Sequence, residues 1–242
     1  MGKSPDTKHQ PDKDQSADRT AAAQRFRHLI GQIVRTIPVL ERLRRRERIS
    51  ESGFDKRYRE TRDPFLFDTN PYEQGKFNHL IETLDGRSYG SALEVGCAIG
   101  SFTEKLLAHC DRLLAIDISQ TAVDRTRNRF PGSSKITAER ATIPQTLPPG
   151  PFDLVVCSDV LYYLSPRQLR RTILLLANSI SPGGTFLALH YLGDAHGLTT
   201  GNQVHDLLHK LLTDFKTIKS ETIEGIGPKG AGYRIDRFDR IR

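Results

Sequence analysis

Leu93-Glu94-Val95-Gly96-Cys97-Ala98-Ile99-Gly100-Ser101-Phe102 is the stretch that decides the fold of this 242-residue chain. An apolar run from Ala92 to Val95 ends at a glycine, and a second glycine follows four residues later. Ser101 and Glu104 stand three residues apart, a capping-box pattern that predicts the start of a helix. The stretch therefore predicts a strand, a tight glycine turn and a helix, the first half of a nucleotide-binding βαβ unit.

The two glycines and a later acidic residue indicate a ribose-binding site. Gly96 can adopt a positive φ and lets a ligand approach the backbone, and Gly100 lets the start of the helix pack close to the strand. A second apolar run, Leu113 to Ile116, ends at Asp117, which lies 21 residues after Gly96. An acid about 20 residues beyond the glycine turn is the expected acceptor for a ribose hydroxyl.

The glycine spacing and Glu94 narrow the class of nucleotide. The dinucleotide pattern G-x-G-x-x-G places a pyrophosphate at the helix N-terminus. Here the spacing is G-x-x-x-G, Ala98 stands between the glycines, and Glu94 would repel an anion. These features favour S-adenosylmethionine (SAM), which carries a sulfonium, an amino-acid end and a ribose but no phosphate.

Four motifs in order make residues 80–242 similar to class I SAM-dependent methyltransferases. They are Glu94-x-Gly96-x-x-x-Gly100, Asp117, Phe152-Asp153-Leu154-Val155-Val156 and Ser181-Pro182-Gly183-Gly184-Thr185-Phe186. They resemble motif I with Ala98 as its middle residue, the acidic loop, the fourth strand and the turn into the fifth. The resemblance implies a Rossmann-like, doubly wound α/β fold whose seven-stranded sheet has an antiparallel last strand. It also implies SAM as cofactor and S-adenosylhomocysteine (SAH) as product.

A narrower resemblance is to the nodulation N-methyltransferase (NodS-like) family. It rests on Asp63-Pro64-Phe65, Pro71-Tyr72-Glu73-x-x-Lys76, Leu93 to Ala98, and Val160-Leu161-Tyr162-Tyr163-Leu164. Those enzymes methylate the amino group of a deacetylated glucosamine on a chitin oligosaccharide, so the resemblance implies an amino sugar as acceptor. The alternatives are O-methylation of a glycan or secondary metabolite, and a SAM-binding protein without catalysis.

The family resemblance places the cofactor contacts at the crevice ends of the strands. Either Lys76 meets the SAM carboxylate or Tyr72 hydrogen-bonds near it. Arg140 stands where many family members place an acid that reads the adenine amino group, so backbone groups around Ala141 are the alternative for that contact. The expected cofactor-binding residues are Tyr72, Lys76, Glu94, Gly96, Cys97, Ala98, Gly100, Ser101, Phe102, Asp117, Ile118, Arg140, Ala141, Thr142, Asp159 and Val160.

Two residues that end predicted strands at the crevice are the catalytic candidates. Asp159 follows the apolar run Phe152 to Cys157, and His190 follows the predicted strand Thr185 to Leu189. Either could take the proton of an acceptor amine, which would accelerate the reaction roughly 10²–10⁴-fold. The alternatives are that His190 is a structural hydrogen-bonding residue, and that the amine binds neutral and loses its proton after transfer.

Composition and charge describe one domain preceded by a basic extension. Hydrophobic residues make up 37% of the chain and the mean hydropathy is −0.47. No apolar run reaches the length of a membrane-spanning helix, and the N-terminus lacks a signal-peptide pattern, which predicts a cytoplasmic protein. The chain has three widely spaced cysteines, Cys97, Cys110 and Cys157. Their number and spacing predict no zinc-binding pair, no redox pair and no bound metal.

The positive charge is concentrated in the first 50 residues. They hold 12 basic and 6 acidic residues, a charge of +6 out of a total of +7. The domain itself is near neutral, it lacks tryptophan, and Ser158-Asp159-Val160-Leu161 stands where base-amino methyltransferases carry N/D-P-P-Y/F. We therefore expect a small-molecule or oligosaccharide acceptor and no nucleic-acid partner.

Pattern changes divide the chain into three parts. Residues 1–23 are polar and aperiodic, which predicts a disordered tail whose deletion leaves SAM binding intact. Residues 24–72 are predicted to form a basic amphipathic extension or lid, with an irregular segment at 51–72. Packing on the domain or a dimer contact is the expected role of the helical part, with weak membrane-surface contact through residues 24–48 as an alternative. Residues 73–242 are the predicted methyltransferase domain, and the sequence does not indicate its oligomeric state.

Overall fold

The computed structural model describes residues 41, 43–47 and 49–241. The predicted disordered tail 1–23 and nearly all of the basic segment 24–48 lie outside the described residues. Contacts divide the chain into two compact units, Met1–Arg46 and Glu47–Arg242. In the first unit the described residues, 41 and 43–46, are helical. Residues 47–72 therefore belong to the same compact unit as the predicted methyltransferase domain.

Helices and strands alternate through most of the second unit. The helices are α1 (Glu51–Glu60), α2 (Pro71–Thr83), α3 (Ser101–Leu106), α4 (Gln120–Arg129), α5 (Pro166–Ser179) and α6 (Gly201–Leu211). The strands are β1 (Ala92–Val95), β2 (Leu113–Asp117), β3 (Ile136–Arg140), β4 (Phe152–Ser158), β5 (Ile180–Tyr191), β6 (Phe215–Ile223) and β7 (Tyr233–Arg240). None of the helices in the described part of the chain has the length and apolar character needed to cross a membrane.

The seven strands form one sheet in the order β3-β2-β1-β4-β5-β7-β6. The strands β1 to β5 run parallel, with Val95 opposite Ile116 on one side and Cys157 on the other. The last strand, β7, is antiparallel to both of its neighbours and lies between β5 and β6. This arrangement confirms the predicted doubly wound sheet with an antiparallel last strand.

Burial explains why the central strands read as continuous apolar runs. All four residues of β1 are buried, and β4 is buried from Leu154 to Cys157, because helices cover both faces of a parallel sheet. The two large core clusters lie on opposite sides of the sheet, one around Val155 and Phe186 and the other around Val156 and Leu187. The core thus fixes the carboxyl ends of β1, β2 and β4 next to one another.

The observed bounds of several helices and strands differ from the predicted ones, and each difference has a local cause. Residues 51–72, predicted to be irregular, contain α1, whose N-cap Ser50 accepts a hydrogen bond from the Gly53 backbone N–H. Strand β5 begins at Ile180, five residues before the predicted start at Thr185, because Ile180 pairs with Phe152 across an irregularity in the ladder. The sequence pattern of residues 203–215 predicts a helix, and the observed helix α6 is Gly201–Leu211. It begins two residues earlier because Thr200 forms a capping box with Gln203.

Candidate active site

The carboxyl ends of three neighbouring parallel strands bring the predicted site segments together. The glycine turn 96–100 follows β1, Asp117 ends β2, and the turn 159–163 follows β4. Ligands of open α/β sheets bind in the crevice outside these strand ends. The site is therefore built by the sheet rather than by any single motif.

The glycine turn is tightly packed and has left-handed backbone at Gly96, Ala98 and Gly100, with φ of 84°, 51° and 83°. A Cβ on Gly96 would lie 3.1 Å from two side-chain carbons of Val160 and would itself be strained by its φ. Glycine is required at position 96 because the turn after β4 approaches the backbone there. Gly96 and Val160, both predicted cofactor-binding residues, are thus in direct proximity.

Asp117 is held at the crevice by two backbone amides. Its Oδ2 accepts a hydrogen bond from the Ala98 N–H at 3.0 Å, and its Oδ1 accepts one from the Ser119 N–H at 2.9 Å. Burial raises the pKa of this carboxyl to about 6, although the backbone hydrogen bonds act in the opposite direction. The same carboxylate therefore holds the residue that caps α4, Ser119, and joins the glycine turn to β2. Each of its oxygens keeps lone-pair capacity for a ribose hydroxyl.

Glu94 adds a second buried carboxyl beneath the glycine turn. Its Oε2 accepts a hydrogen bond of 2.7 Å from the Thr103 hydroxyl, and burial raises its pKa to about 7. Among the described residues, neither Glu94 nor Asp117 forms an ion pair. A site with two buried acids and no paired cation fits a ligand that carries a sulfonium and an ammonium group, and it does not fit a phosphate.

Four other predicted cofactor-binding residues have side chains that are engaged inside the protein. Ser101 donates to Asp68 Oδ1 at 2.6 Å, Phe102 packs on Phe77, and the buried Cys97 sulfur lies 3.7 Å from the Thr126 hydroxyl. Ile118 packs beside the turn with the small cluster that includes Ala98 and Ile99. Cofactor contacts from Ser101 and Cys97 would therefore fall to the backbone.

The Arg140 side chain, at the position expected to contact the adenine, is engaged elsewhere. Arg140 ends β3 on the surface and forms an ion pair with Glu51 of α1. The Ala141 N–H donates to the Asp117 carbonyl at 2.9 Å, and the Thr142 N–H donates to the Thr146 hydroxyl at 2.8 Å. These two amide donors are thus already satisfied, and the Thr142 carbonyl accepts from the Thr146 N–H at 2.8 Å. An adenine amino group would therefore have to use the Ala141 carbonyl or a second lone pair of the Thr142 carbonyl.

Lys76, Asp159 and Glu73 form a compact charged cluster at the end of β4. The Lys76 ammonium, 2% exposed, is ion-paired with Asp159 Oδ2 and lies 2.7 Å from Glu73 Oε2. Burial lowers the pKa of Lys76, but Asp159 and Glu73 raise it by more, so the lysine stays charged. Its Nζ also lies 5.2 Å from the centre of the Tyr72 ring, a cation–π contact.

Asp159 is the predicted catalytic residue that the structure brings to the crevice. Its backbone is left-handed, with φ of 51°, and its Oδ1 accepts a hydrogen bond of 2.7 Å from the Tyr191 N–H. The remaining oxygen faces Lys76. The carboxylate is therefore anchored on both sides, next to the turn that touches Gly96.

His190, the other catalytic candidate, is fully buried and its hydrogen-bonding capacity is used inside the protein. Its Nε2 accepts from the Leu161 N–H at 3.2 Å, and its Nδ1 lies 3.2 Å from His205 Nε2. Burial holds its pKa well below the usual value. A general base needs a free lone pair within reach of the acceptor, so this geometry disfavours the general-base hypothesis and favours a structural role.

Helix α1 contributes residues that the sequence interpretation missed. Phe54 and Tyr58 are buried against Ala98 and Ile99 of the glycine turn. Asp55 Oδ1 accepts hydrogen bonds from the Ser119 hydroxyl at 2.8 Å and the Thr121 N–H at 2.9 Å. The signal was present, because Ser50 is a typical N-cap and the two aromatic residues are spaced four apart on one helix face.

The described histidines, cysteines and acidic residues do not form a metal site. In the described part of the chain, no group of three or more His, Cys, Asp or Glu residues is arranged to hold a metal ion. The three cysteines are buried free thiols, and burial raises the pKa of Cys110 to about 12.

Comparison with known proteins gives a consistent family assignment. Residues 51–190 match the family model described as Nodulation protein S (NodS). Nodulation protein S of Rhizobium tropici is 40% identical over 124 residues, which are 50% of this chain and 52% of the relative. The protein of the same name from Sinorhizobium fredii is 39% identical over 124 residues and 57% of its length. The chain thus matches little more than half the length of these curated relatives.

A solved structure agrees with the fold and extends the match. N-methyltransferase NodS from Bradyrhizobium japonicum WM9 in complex with SAH aligns with a TM-score of 0.71 and 27% identity. The alignment covers 79% of this chain and 98% of that protein. Since the family model spans more than half of the 242 residues and the sheet has the same architecture, this chain belongs to the nodulation protein S family.

Proposed function

We propose that this protein is a SAM-dependent N-methyltransferase whose acceptor is the amino group of an amino sugar in a glycan. The observation that carries the proposal is the crevice with an excess of acids, in which Glu94 and Asp117 flank the glycine turn. Beside it, two further carboxylates, Asp159 and Glu73, share the single cation Lys76. Such a site suits a cationic methyl donor and an amine acceptor. The similarity to a solved N-methyltransferase with bound SAH supports the same reaction class.

The glycine turn and the residues around it would bind and orient SAM, the methyl donor. Bound SAM supplies an electrophilic methyl group on a sulfonium that is already a good leaving group. Asp117 would accept the ribose hydroxyls, and Glu94 would favour the amino-acid end through its charge. Phe54 and Tyr58 would keep water from the donor, because they pack on the turn. Alignment of donor and acceptor can lower the barrier by about 7–11 kcal/mol without a covalent role for the protein.

Asp159 would orient the acceptor amine rather than act as a strong base. Its two oxygens are already engaged by the Tyr191 N–H and the Lys76 ammonium. Taking up a proton would disturb one of these two contacts, whereas accepting a hydrogen bond from the amine uses a remaining lone pair of the carboxylate. We therefore favour an amine that binds neutral and releases its proton after methyl transfer.

The test is calorimetric titration with SAH, followed by incubation with SAM and a deacetylated chitin oligosaccharide. We expect micromolar SAH binding and a gain of one methyl mass on the oligosaccharide. The matched control is the fully N-acetylated oligosaccharide, which has the same hydroxyls and no free amine. Methylation of both sugars would identify an O-methyltransferase, and SAH binding without methyl gain on any acceptor would favour a non-catalytic SAM-binding protein.

A further inference from the structure

Three buried residues from three elements form a continuous hydrogen-bonded chain that ends at the crevice. Asp236 on β7 lies 2.7 Å, Oδ2 to Nδ1, from His205 on α6. His205 Nε2 lies 3.2 Å from His190 Nδ1 at the end of β5, and His190 Nε2 accepts from the Leu161 N–H. The side chains of all three residues are 0% exposed. We call Asp236, His205 and His190 the buried relay.

The partners at the two ends of the relay allow one arrangement of protons. The Leu161 N–H can only donate, so His190 Nε2 is an acceptor and the proton of the neutral ring lies on Nδ1. His190 Nδ1–H then donates to His205 Nε2, which leaves the His205 proton on Nδ1 to donate to the Asp236 carboxylate. A carboxylate that fixes the tautomer of a histidine also fixes the orientation of its ring. Here Asp236 fixes the tautomer of His205, His205 fixes that of His190, and His190 accepts from the Leu161 backbone N–H.

Charged and titratable groups surround the relay on several sides. Lys76 on α2 faces His190, and His205 faces Arg234 of β7 and His209 of α6. His209 Nε2 also lies 3.0 Å from Asp236 Oδ2, and the Asp236 carboxylate interacts with Arg234 at 3.5 Å. Burial alone would raise the pKa of Asp236, but the hydrogen bond from His205 and the charge of Arg234 lower it below the usual value, so the carboxylate stays charged.

The relay ends on the turn that contains Asp159 and Val160. Leu161 begins the short 3-10 turn Leu161–Tyr163, and Val160 is the residue that limits the space at Gly96. Tyr191, the neighbour of His190, donates its N–H to Asp159 Oδ1. The end of β5 therefore holds this turn at two points, one through backbone and one through the His190 ring.

We propose that Asp236, His205 and His190 are positioning residues for methyl transfer, acting on the turn 159–163 through the Leu161 amide. The inference rests on the proposed methyltransferase function. In this role His190 touches neither donor nor acceptor. It sets the distance between Asp159, which would orient the amine, and the glycine turn, which would hold the donor.

The decisive test is a pair of substitutions at His190 in the full chain. In H190Q, the amide oxygen can reach the place of Nε2 and accept from the Leu161 N–H. In H190N, the shorter side chain places its amide near Nδ1 and leaves that N–H without its partner. The readouts are hydrogen exchange of the Leu161 amide, SAH affinity, and kcat and KM for the methylated acceptor. Denaturant unfolding of each variant separates local from global loss of structure.

We expect H190N to raise exchange at Leu161 at least tenfold and to lower kcat about tenfold, with KM for the acceptor changed less than about threefold. A displacement of 1 Å in an aligned site costs about 10²-fold, and loss of one hydrogen bond permits a smaller shift. H190Q should recover most of the kcat and the slow exchange. Equal kcat and equal exchange in the two variants would overturn the proposal.

A second variant covers the case in which H190N does not fold. H205N retains a donor near Asp236 but withdraws the acceptor from His190 Nδ1, so it should raise exchange at Leu161 with a smaller loss of kcat. If H205N leaves exchange at Leu161 unchanged, the relay does not position the turn. If the wild-type protein binds SAH but methylates no amino sugar, the proposed acceptor is wrong, and the exchange and SAH-affinity readouts still decide the relay.

Discussion

Glu94 offers a substitution for which the structure predicts opposite effects on stability and on cofactor binding. Its carboxyl is 3% exposed, accepts one hydrogen bond from Thr103, and has a pKa raised from 4.5 to about 7 by burial. In Glu94→Gln, the amide oxygen can accept the same hydrogen bond. The buried charge disappears while the shape of the side chain is retained.

The magnitude follows from the pKa of the folded and unfolded states. Below pH 4.5 the carboxyl is protonated in both the folded and the unfolded state, so its ionisation does not change the free energy of unfolding. Between pH 4.5 and 7 the unfolded state releases its proton while the folded state retains it, so stability falls by about 1.4 kcal/mol per pH unit. Above pH 7 the accumulated cost is about 3 kcal/mol, since the pKa rises from 4.5 to about 7.

We therefore expect Glu94→Gln to raise the free energy of unfolding of the ligand-free protein by up to about 3 kcal/mol at pH 8 and by much less at pH 5. SAH affinity should fall about ten- to hundredfold, because a hydrogen bond to a charged group is worth about 1.5–3 kcal/mol. The assays are urea unfolding at both pH values and calorimetric titration with SAH. Glu82→Gln, on the exposed face of α2, is the matched control and should show neither effect.

Two results would refute this reasoning. A stability difference between wild type and Glu94→Gln that is the same at pH 5 and pH 8 would show that the carboxyl is not buried as a charge. Unchanged SAH affinity would remove Glu94 from the cofactor site, whatever the stability data show.

Three further expectations concern the same crevice. Asp117→Ala should weaken SAH binding by roughly 1.5–3 kcal/mol in calorimetric titration, and unchanged affinity would contradict its ribose role. Gly96→Ala should destabilise the fold by about 1–2 kcal/mol in urea unfolding, because φ is 84° and the new Cβ would meet Val160; equal stability would show that the turn can relax. Burial lowers the pKa of both His190 and His205, so these rings resist protonation in the folded state, whereas in the unfolded state they take up protons below about pH 6.5. The contribution of these two histidines to the free energy of unfolding should therefore be present above that pH and lost on acidification. The stability difference between wild type and His205→Gln should thus narrow between pH 7 and pH 5 in urea unfolding, and a constant difference would contradict it.

The sheet could be predicted from the sequence because the signals that mark its strand ends lie within short stretches of the chain. The apolar run before Gly96 and the spacing to Asp117 predict strand ends, and parallel strand ends meet at one edge. The capping pattern of Ser165 with Gln168 likewise predicts the start of α5 correctly. Each of these features depends on residues close together in the chain.

The contacts of the site that the sequence does not reveal join residues far apart in the chain. His190 could not be recognised as a relay member, since its partners His205 and Asp236 lie 15 and 46 positions later on other elements. Lys76 could not be recognised as an ion-pair partner of Asp159, 83 residues away. Helix α1 has a local signal in Ser50 and the Phe54/Tyr58 spacing, but the packing of these two aromatic residues against the glycine turn could not be predicted from neighbouring residues.

The order of strands in the sheet has a consequence for synthesis of the protein on the ribosome. Strand β7 lies between β5 and β6 although it is made after both, so β5 lacks one of its two neighbours while residues up to 223 are emerging. An unpaired strand edge can pair with another chain and promote aggregation. The nascent chain therefore leaves the backbone N–H and C=O groups of this edge of β5 unpaired until Tyr233–Arg240 inserts, and this late insertion also brings Asp236 to His205.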